Sequence, residues 1–202
     1  MLEVGLTGGI ACGKSVVRRR FEEKGVATLD ADVVVHRLFE PGSEVVRELE
    51  SVFGAKILTV EGAVDRKALG ALVFGDLAAR ERLNAIVHPH VWLAIDAFFE
   101  SVRARGEPLA VVDAALMVET GSYERYDCLV VVHCTGEQQM ERLMKRDGLT
   151  SEEAQRRIEA QMPLEQKKAY ADLLIDTSGT LVETLSRTDD VLAALRKLAD
   201  ES

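Results

Sequence analysis

The chain has 202 residues, with 34 acidic and 25 basic side chains and a formal net charge of −9. At 47% apolar and 29% charged residues it is a folding chain, long enough to bury one sizeable core. The acidic balance argues against non-specific nucleic-acid binding, and no run approaches the roughly 20 apolar residues of a membrane span.

Leu2–Leu6 reads as a short apolar strand running into Thr7-Gly8-Gly9. No basic segment precedes it, so no signal peptide is expected. From Gly13 to about Lys24 the pattern is helical and is closed by Gly25. Val26–Leu29 is a second strand, ending in Asp30-Ala31-Asp32. These elements make residues 1–32 the first part of a core. Residues 33–83 are mainly helical, with breaks at Pro41-Gly42, Gly54, Glu61-Gly62 and Gly75, and read as an insertion.

Residues 84–140 return to the core. A helix is expected to begin near Val91 with Pro89 in its first turn, carrying Trp92, Phe98 and Phe99 as core residues. Leu109–Ala115 and Cys128–His133 are strands. Residues 141–168 are charged, helical and broken at Pro163, as a mobile lid would be. Residues 169–202 complete the core with a strand, Leu173–Asp176, and a helix from Leu181 to about Leu198. Thr135 with Gln138, Thr150 with Glu153 and Thr180 with Glu183 fit capping boxes. Five short, nearly all apolar strands, each beside a helical pattern, predict an α/β fold with a parallel sheet flanked by helices.

Gly8-Gly9-Ile10-Ala11-Cys12-Gly13-Lys14-Ser15 matches G-x-x-x-x-G-K-[ST] between a strand and a helix. Backbone N–H groups of such a loop form a nest for phosphate oxygens, and the helix end adds a positive dipole. Lys14 reaches the β- and γ-phosphates, and the Ser15 hydroxyl is placed for Mg²⁺. A P-loop NTPase fold with ATP or a similar nucleotide and Mg²⁺ as ligands follows. Cys12 has two readings: a low-pKa thiol sensitive to oxidation, or a small loop residue used for its backbone. Cys128 and Cys134 flank an apolar run and are expected as buried, reduced thiols.

Guanine-specific GTPases need an Asn-Lys-x-Asp segment. The one asparagine here, Asn84, precedes Ala85-Ile86-Val87, so that class is excluded. What remains is a small kinase. Asp30 and Asp32 follow the second strand at the end of the sheet where ligands bind. Either could orient and deprotonate an acceptor hydroxyl, and either could cap the next helix. Arg142 and Arg146 are one turn apart and can neutralise a transferring phosphoryl group, or form a solvated face. His88 either points into the cleft or caps the helix after Pro89, while His36 and His133 read as surface or packing residues.

The chain resembles the dephospho-coenzyme A kinase family along nearly its whole length. The resemblance rests on Leu6-Thr7-Gly8-Gly9-Ile10, Gly13-Lys14-Ser15, Asp30-Ala31-Asp32, Asp65-Arg66, Leu83-Asn84-x-Ile86-x-His88-Pro89 and Leu116-x-x-Glu119-x-Gly121. It continues through Arg142-Leu143-Met144-x-Arg146-Asp147-Gly148, Gln161-Met162-Pro163, Ala171-Asp172 and Ile175-Asp176-x-Ser178-Gly179. It implies ATP-dependent phosphorylation of the ribose 3′-hydroxyl of dephospho-coenzyme A in the cytoplasm, by a monomer or weak homo-oligomer.

On this resemblance Gly8, Gly9, Ala11, Cys12, Gly13, Lys14, Ser15, Val16, Arg146 and Thr177 bind ATP. Lys14, Asp32, Arg142 and Arg146 are catalytic, and Asp32, His88 and Glu119 serve the acceptor. The alternatives are a related kinase for another nucleotide or small alcohol, and a regulatory ATPase. The family usually has glycine and serine at Ala11 and Cys12, so a positive φ at Ala11 would carry strain. It usually has asparagine at Thr177, near the adenine. Residues 1–25 hold five basic and three acidic groups, and residues 141–168 seven and six. The basic surplus is confined to the segments assigned to phosphate.

Overall fold

A computed structural model describes residues 1–201. The elements, in order, are β1 (Leu2–Gly8), α1 (Lys14–Glu23), β2 (Ala27–Asp30), α2 (Ala31–Leu38), α3 (Glu44–Phe53), α4 (Arg66–Val73) and α5 (Leu77–Ala104). There follow β3 (Leu109–Asp113), β4 (Cys128–His133), α6 (Gly136–Asp147), α7 (Ser151–Glu159), α8 (Leu164–Lys168), β5 (Leu173–Asp176) and α9 (Leu181–Glu201). The chain divides into two compact units: Met1–Asp30 with the chain from Phe99 onward, and Ala31–Phe98.

The first unit holds a five-stranded sheet in the order β2-β3-β1-β4-β5, every neighbouring pair parallel. The predicted P-loop α/β architecture is therefore the observed one. The inner strands β1, β3 and β4 are almost wholly buried, which is why they are nearly all apolar, while the edge strands β2 and β5 are half-buried. Leu2, Val4 and Leu6 form one core with Leu109, Val111, Val130 and Val132. Val17 and Phe21 of α1 and Val191, Leu192 and Leu195 of α9 belong to the same core. In α9 the inward stripe is Thr184, Thr188, Leu192 and Leu195; Leu181 and Leu198, expected on it, are exposed at the helix ends.

Register decides what reaches the carboxyl end of the sheet. Leu6 and Asp30 both align with Asp113, Gly8 aligns with Val132, and His133 with Asp176. The connections leaving β1 and β3 run to opposite sides, so the crevice beside β1 is the switch point where ligands of such sheets bind. β3 ends two residues before the expected Ala115. The Ala115 carbonyl leaves the ladder and accepts from Thr7 Oγ1 at 3.2 Å and Lys167 Nζ at 3.0 Å.

The three expected capping boxes are formed, with Thr135, Thr150 and Thr180 each reciprocated by its partner. The second unit carries its own caps: Ser43 accepts from Val46 N at α3, and Asp65 from Lys67 N and Ala68 N at α4. Val45, Val46, Leu49, Ile57 and Leu69 are its buried apolar residues over α3 and α4.

One expectation fails. No helix starts at Pro89; α5 runs unbroken from Leu77 to Ala104 with Pro89 inside it. Proline removes the bond to the carbonyl of Ala85 and crowds it, a cost of about 3 kcal/mol. Val87, Val91, Ile95, Phe99 and Val102 continue one buried stripe through that point, and the packing carries the helix across. Phe99 is buried, with its ring edge-on to Tyr126 at 6.3 Å, whereas Trp92 and Phe98 are only half-buried. No helix of the described residues is long and apolar enough to cross a membrane.

Two measurements check this account. Ala11 has φ 59°, the left-handed value for which the sequence predicts strain. Ala11→Gly is expected to raise unfolding stability in urea by about 0.5–1 kcal/mol, the relief of strain less the gain in unfolded-chain entropy; a lower midpoint would refute it. Helices α1 and α9 are joined by Arg20, which donates to both carboxylate oxygens of Asp189 at 2.8 and 2.6 Å, with Lys24 at 3.2 Å. The Arg20 hydrogen bonds hold the Asp189 carboxyl at about 2. Its stabilisation is thus present above the unfolded value near 4 and disappears as pH falls towards 2. The stability gap between wild type and Asp189→Asn should be open at pH 7 and should narrow steadily below pH 4.

Candidate active site

The loop between β1 and α1 is built from the strand outward. Gly8 lies so near β4 that a Cβ would stand 2.5 Å from the Val132 carbonyl oxygen. Gly13, at φ 84°, is the N-cap of α1 and brings no side chain to its first N–H groups, which leaves that helix end to an anion. Between these glycines the loop is pegged by side chains from elsewhere. Ile10 N donates to Gln161 Oε1 at 2.8 Å, and Ile10 O accepts from Gln139 Nε2 at 2.9 Å. The buried Thr177 hydroxyl donates to Cys12 O at 2.8 Å and shares that proton with His133 O at 3.1 Å.

Lys14 makes an ion pair with the buried carboxylate of Asp113 at the end of β3. Arg18, one turn further along α1, stands 3.4 Å from Asp113 and 3.3 Å from Asp30. Burial raises the Asp113 pKa; Lys14 opposes this, and Asp30 adds to it. Asp113 was not among the residues singled out from the sequence. The available signal was an acid ending a buried strand that neighbours the loop strand.

Arg142 comes to the loop. It donates to Thr177 O at 2.8 Å and to Thr177 Oγ1 at 3.3 Å. With Gly13, Val16, Thr177, Gly179, Leu181 and Thr184 it lines a cavity of about 240 Å³. A larger groove along α6, from Glu137 to Leu149, contains none of the loop residues. Arg146 does not accompany Arg142. It is largely exposed and donates to its neighbour Asp147 at 2.7 Å, which Arg157 also holds at 2.6 Å.

Glu119 pairs with Lys167 at 2.9 Å and accepts from Met162 N at 3.1 Å. Lys167 is wholly buried and donates in addition to Ala115 O. Glu119 is therefore committed to fastening the turn after β3 to the segment leading into α8. Lys167 escaped the sequence reading because nothing marks one lysine of a charged segment as the buried one.

Asp32 and His88 lie in the second unit. Asp32 stands in the first turn of α2. His88 is inside α5 rather than capping it, half-buried, with its ring edge-on to Trp92 at 6.5 Å. His36 lies 3.4 Å from Arg66, and His90 pairs with Glu48 at 3.1 Å.

The thiol contacts separate the two readings of Cys12. Cys12 Sγ lies 3.4 Å from Cys134 Sγ, and the Cys12 thiol is pushed up by that hydrogen bond and by burial, not down. Cys134 is the lowered one, by its hydrogen bond with Cys12 and the charge of Arg142. Burial pushes Cys128 up to about 11.

Known proteins agree with this architecture. The family model described as dephospho-CoA kinase matches residues 2–183. The dephospho-CoA kinase of Geobacter sulfurreducens is 43% identical over 190 residues, 94% of this chain and 96% of that protein. Among solved structures, TT1252 from Thermus thermophilus superposes with a TM-score of 0.84 at 32% identity, covering 96% of each chain. Dephospho-CoA kinase from Campylobacter jejuni gives 0.74 at 27% identity, covering 96% of this chain and 97% of that one. A phosphate loop set between β1 and α1, matched along almost the whole length to these proteins, places the chain in the dephospho-CoA kinase family.

Proposed function

We propose that the protein transfers the γ-phosphoryl group of ATP to the ribose 3′-hydroxyl of dephospho-coenzyme A, giving coenzyme A and ADP. The observation that carries this reading is the family match over residues 2–183, which contains a complete phosphate loop with its lysine and serine. Catalysis is by positioning and charge stabilisation, with no covalent intermediate on the enzyme.

The N–H groups at the start of α1, from Gly13 to Ser15, receive the β- and γ-phosphates, while that of Ile10 stays with Gln161. Lys14 then exchanges the carboxylate of Asp113 for phosphate oxygens, so its charge is never without a partner. The small cavity beside Gly13, with Val16, Thr177 and the Arg142 guanidinium, takes the nucleoside end of ATP. Asp32 orients the acceptor hydroxyl and takes its proton as the hydroxyl oxygen bonds to the γ-phosphorus and the bond to the ADP oxygen breaks. His88 contributes to the acceptor site. Glu119 serves it through the turn after β3, which it fixes to Lys167. Arg146 leaves Asp147 and joins Arg142 over the phosphates when the charged segment closes.

Among the described residues no three His, Cys, Asp or Glu side chains gather as a metal site. The donors at the loop suit Mg²⁺ held mainly by phosphate oxygens: the Ser15 hydroxyl, with a carboxylate at Asp113. Bound there, Mg²⁺ neutralises phosphate charge. We assign the protein to the cytoplasm, where its three free thiols would stay reduced, and expect a monomer or weak homo-oligomer.

Two experiments test the assignment. With labelled ATP and a panel of acceptors, label is expected on dephospho-coenzyme A at the 3′ position, read by NMR; transfer to AMP or shikimate instead would overturn it. Asp32→Asn should lower kcat by about 10²-fold or more if Asp32 is the base, and an unchanged kcat would remove it from that role.

A further inference from the structure

Two of the three cysteines meet behind the phosphate loop. Cys12 belongs to the loop itself and directly precedes Gly13-Lys14, and Cys134 is the residue between β4 and the N-cap of α6. They are far apart in sequence, both are buried, and their sulfurs are 3.4 Å apart. A disulfide needs about 2.05 Å, so the pair must close by roughly 1.4 Å. Cys134 is fixed between a sheet strand and a capped helix, and the Cys12 carbonyl is held by Thr177, so closing the pair pulls the loop against its own pegs. Arg142 stands beside Cys134 and also lines the cavity next to Gly13.

We propose that Cys12 and Cys134 form an oxidative modification site, at which a hydroperoxide such as hydrogen peroxide makes a disulfide that disables the phosphate loop. The Cys134 thiolate, favoured by its contact with Cys12 and by the charge of Arg142, attacks one peroxide oxygen. The O–O bond breaks, Cys134 becomes a sulfenic acid, and the departing hydroxide takes up the proton that the thiol released. The Cys12 sulfur then attacks the Cys134 sulfur. The S–O bond breaks, and water leaves with the Cys12 proton. Two thiols have lost two electrons and two protons, and one peroxide has become two waters. Cys128, at the opposite end of β4 with its thiol held up by burial, stays out of the reaction. Drawing Cys12 towards β4 displaces the neighbouring N–H groups and Lys14. An ångström of misplacement at such a site is worth about 10²-fold. The functional half of this inference rests on the loop being the ATP site; the cross-link itself does not.

The test uses the full-length reduced protein, freed of reductant and treated with hydrogen peroxide with and without ATP. Peroxide is then removed with catalase and free thiols are alkylated. Peptide mass spectrometry without reduction is expected to find the Cys12 and Cys134 peptides linked and lighter by two hydrogens. ATP affinity, measured by calorimetry in thiol-free buffer, should fall by about tenfold or more and return with dithiothreitol. Prior ATP should slow the linking. Cys134→Ser should bind ATP as the untreated parent does and keep that affinity after peroxide, and Cys12→Ser should yield no linked peptide. The proposal is overturned by absence of the linked peptide, by a loss of affinity that persists in Cys134→Ser, or by linkage that leaves ATP affinity intact. A reduced protein that fails to bind ATP would overturn the ATP-site reading separately, with linkage still scored by mass.

Discussion

A phosphate nest works only if its N–H groups stay turned inward before any phosphate arrives. A short glycine-rich segment has no means of enforcing that alone. Here the polar backbone groups on the outer side of the loop are bound by side chains that reach in from distant parts of the chain. Gln139 and Gln161 take the carbonyl and amide of Ile10, and Thr177 takes the carbonyl of Cys12. These come from α6, from the approach to α8 and from the end of β5. The order of the sheet and the angle of α6 are thereby tied to the shape of eight residues at one strand end. Ala11, in a left-handed conformation, is where the strain of that shape is stored.

The electrostatics follow from the same place. At the carboxyl end of the sheet, Asp30, Arg18, Asp113 and Lys14 form a row of alternating sign within ion-pair distance of one another. A carboxylate buried as deeply as Asp113 is costly without a cation, and Lys14 supplies it. The molecule as a whole is strongly acidic, yet the charge that a polyphosphate meets is set by a few cations whose neighbours are fixed by strand register. Net charge and site charge are separate properties of this chain.

What could be read from the sequence divides by range. The β5 and β4 limits, the phosphate loop and the three Thr-x-x-Glu/Gln caps are patterns within a few residues, and each was legible. Pro89 was read as a helix start because its local rule is strong, but the buried stripe from Val87 to Val102 overrides it. Leu181 continues a helical pattern and yet faces a cavity. Asp113, Lys167 and the two glutamines act through partners tens of residues away, and a single sequence has no period that marks such pairs. The thiols show the same limit. A helix N-terminus suggested a lowered pKa at Cys12, whereas its contact with Cys134, which no spacing reveals, reverses the direction.

The buried Lys167 has a mechanical meaning for the segment it follows. At one end, α6 is stitched to the phosphate loop through Gln139 and to Thr177 through Arg142; at the other, Gln161, Met162 and Lys167 are stitched to the loop and to the turn after β3. Residues 148–160, which include α7, lie between these two ends, with a left-handed glycine, Gly148, as the first joint and with α7 held to α6 by the Arg157–Asp147 ion pair. Such a piece behaves as a strap. With both ends fixed it is no free flap, and a displacement of either end reaches the phosphate loop through Gln139 and Gln161.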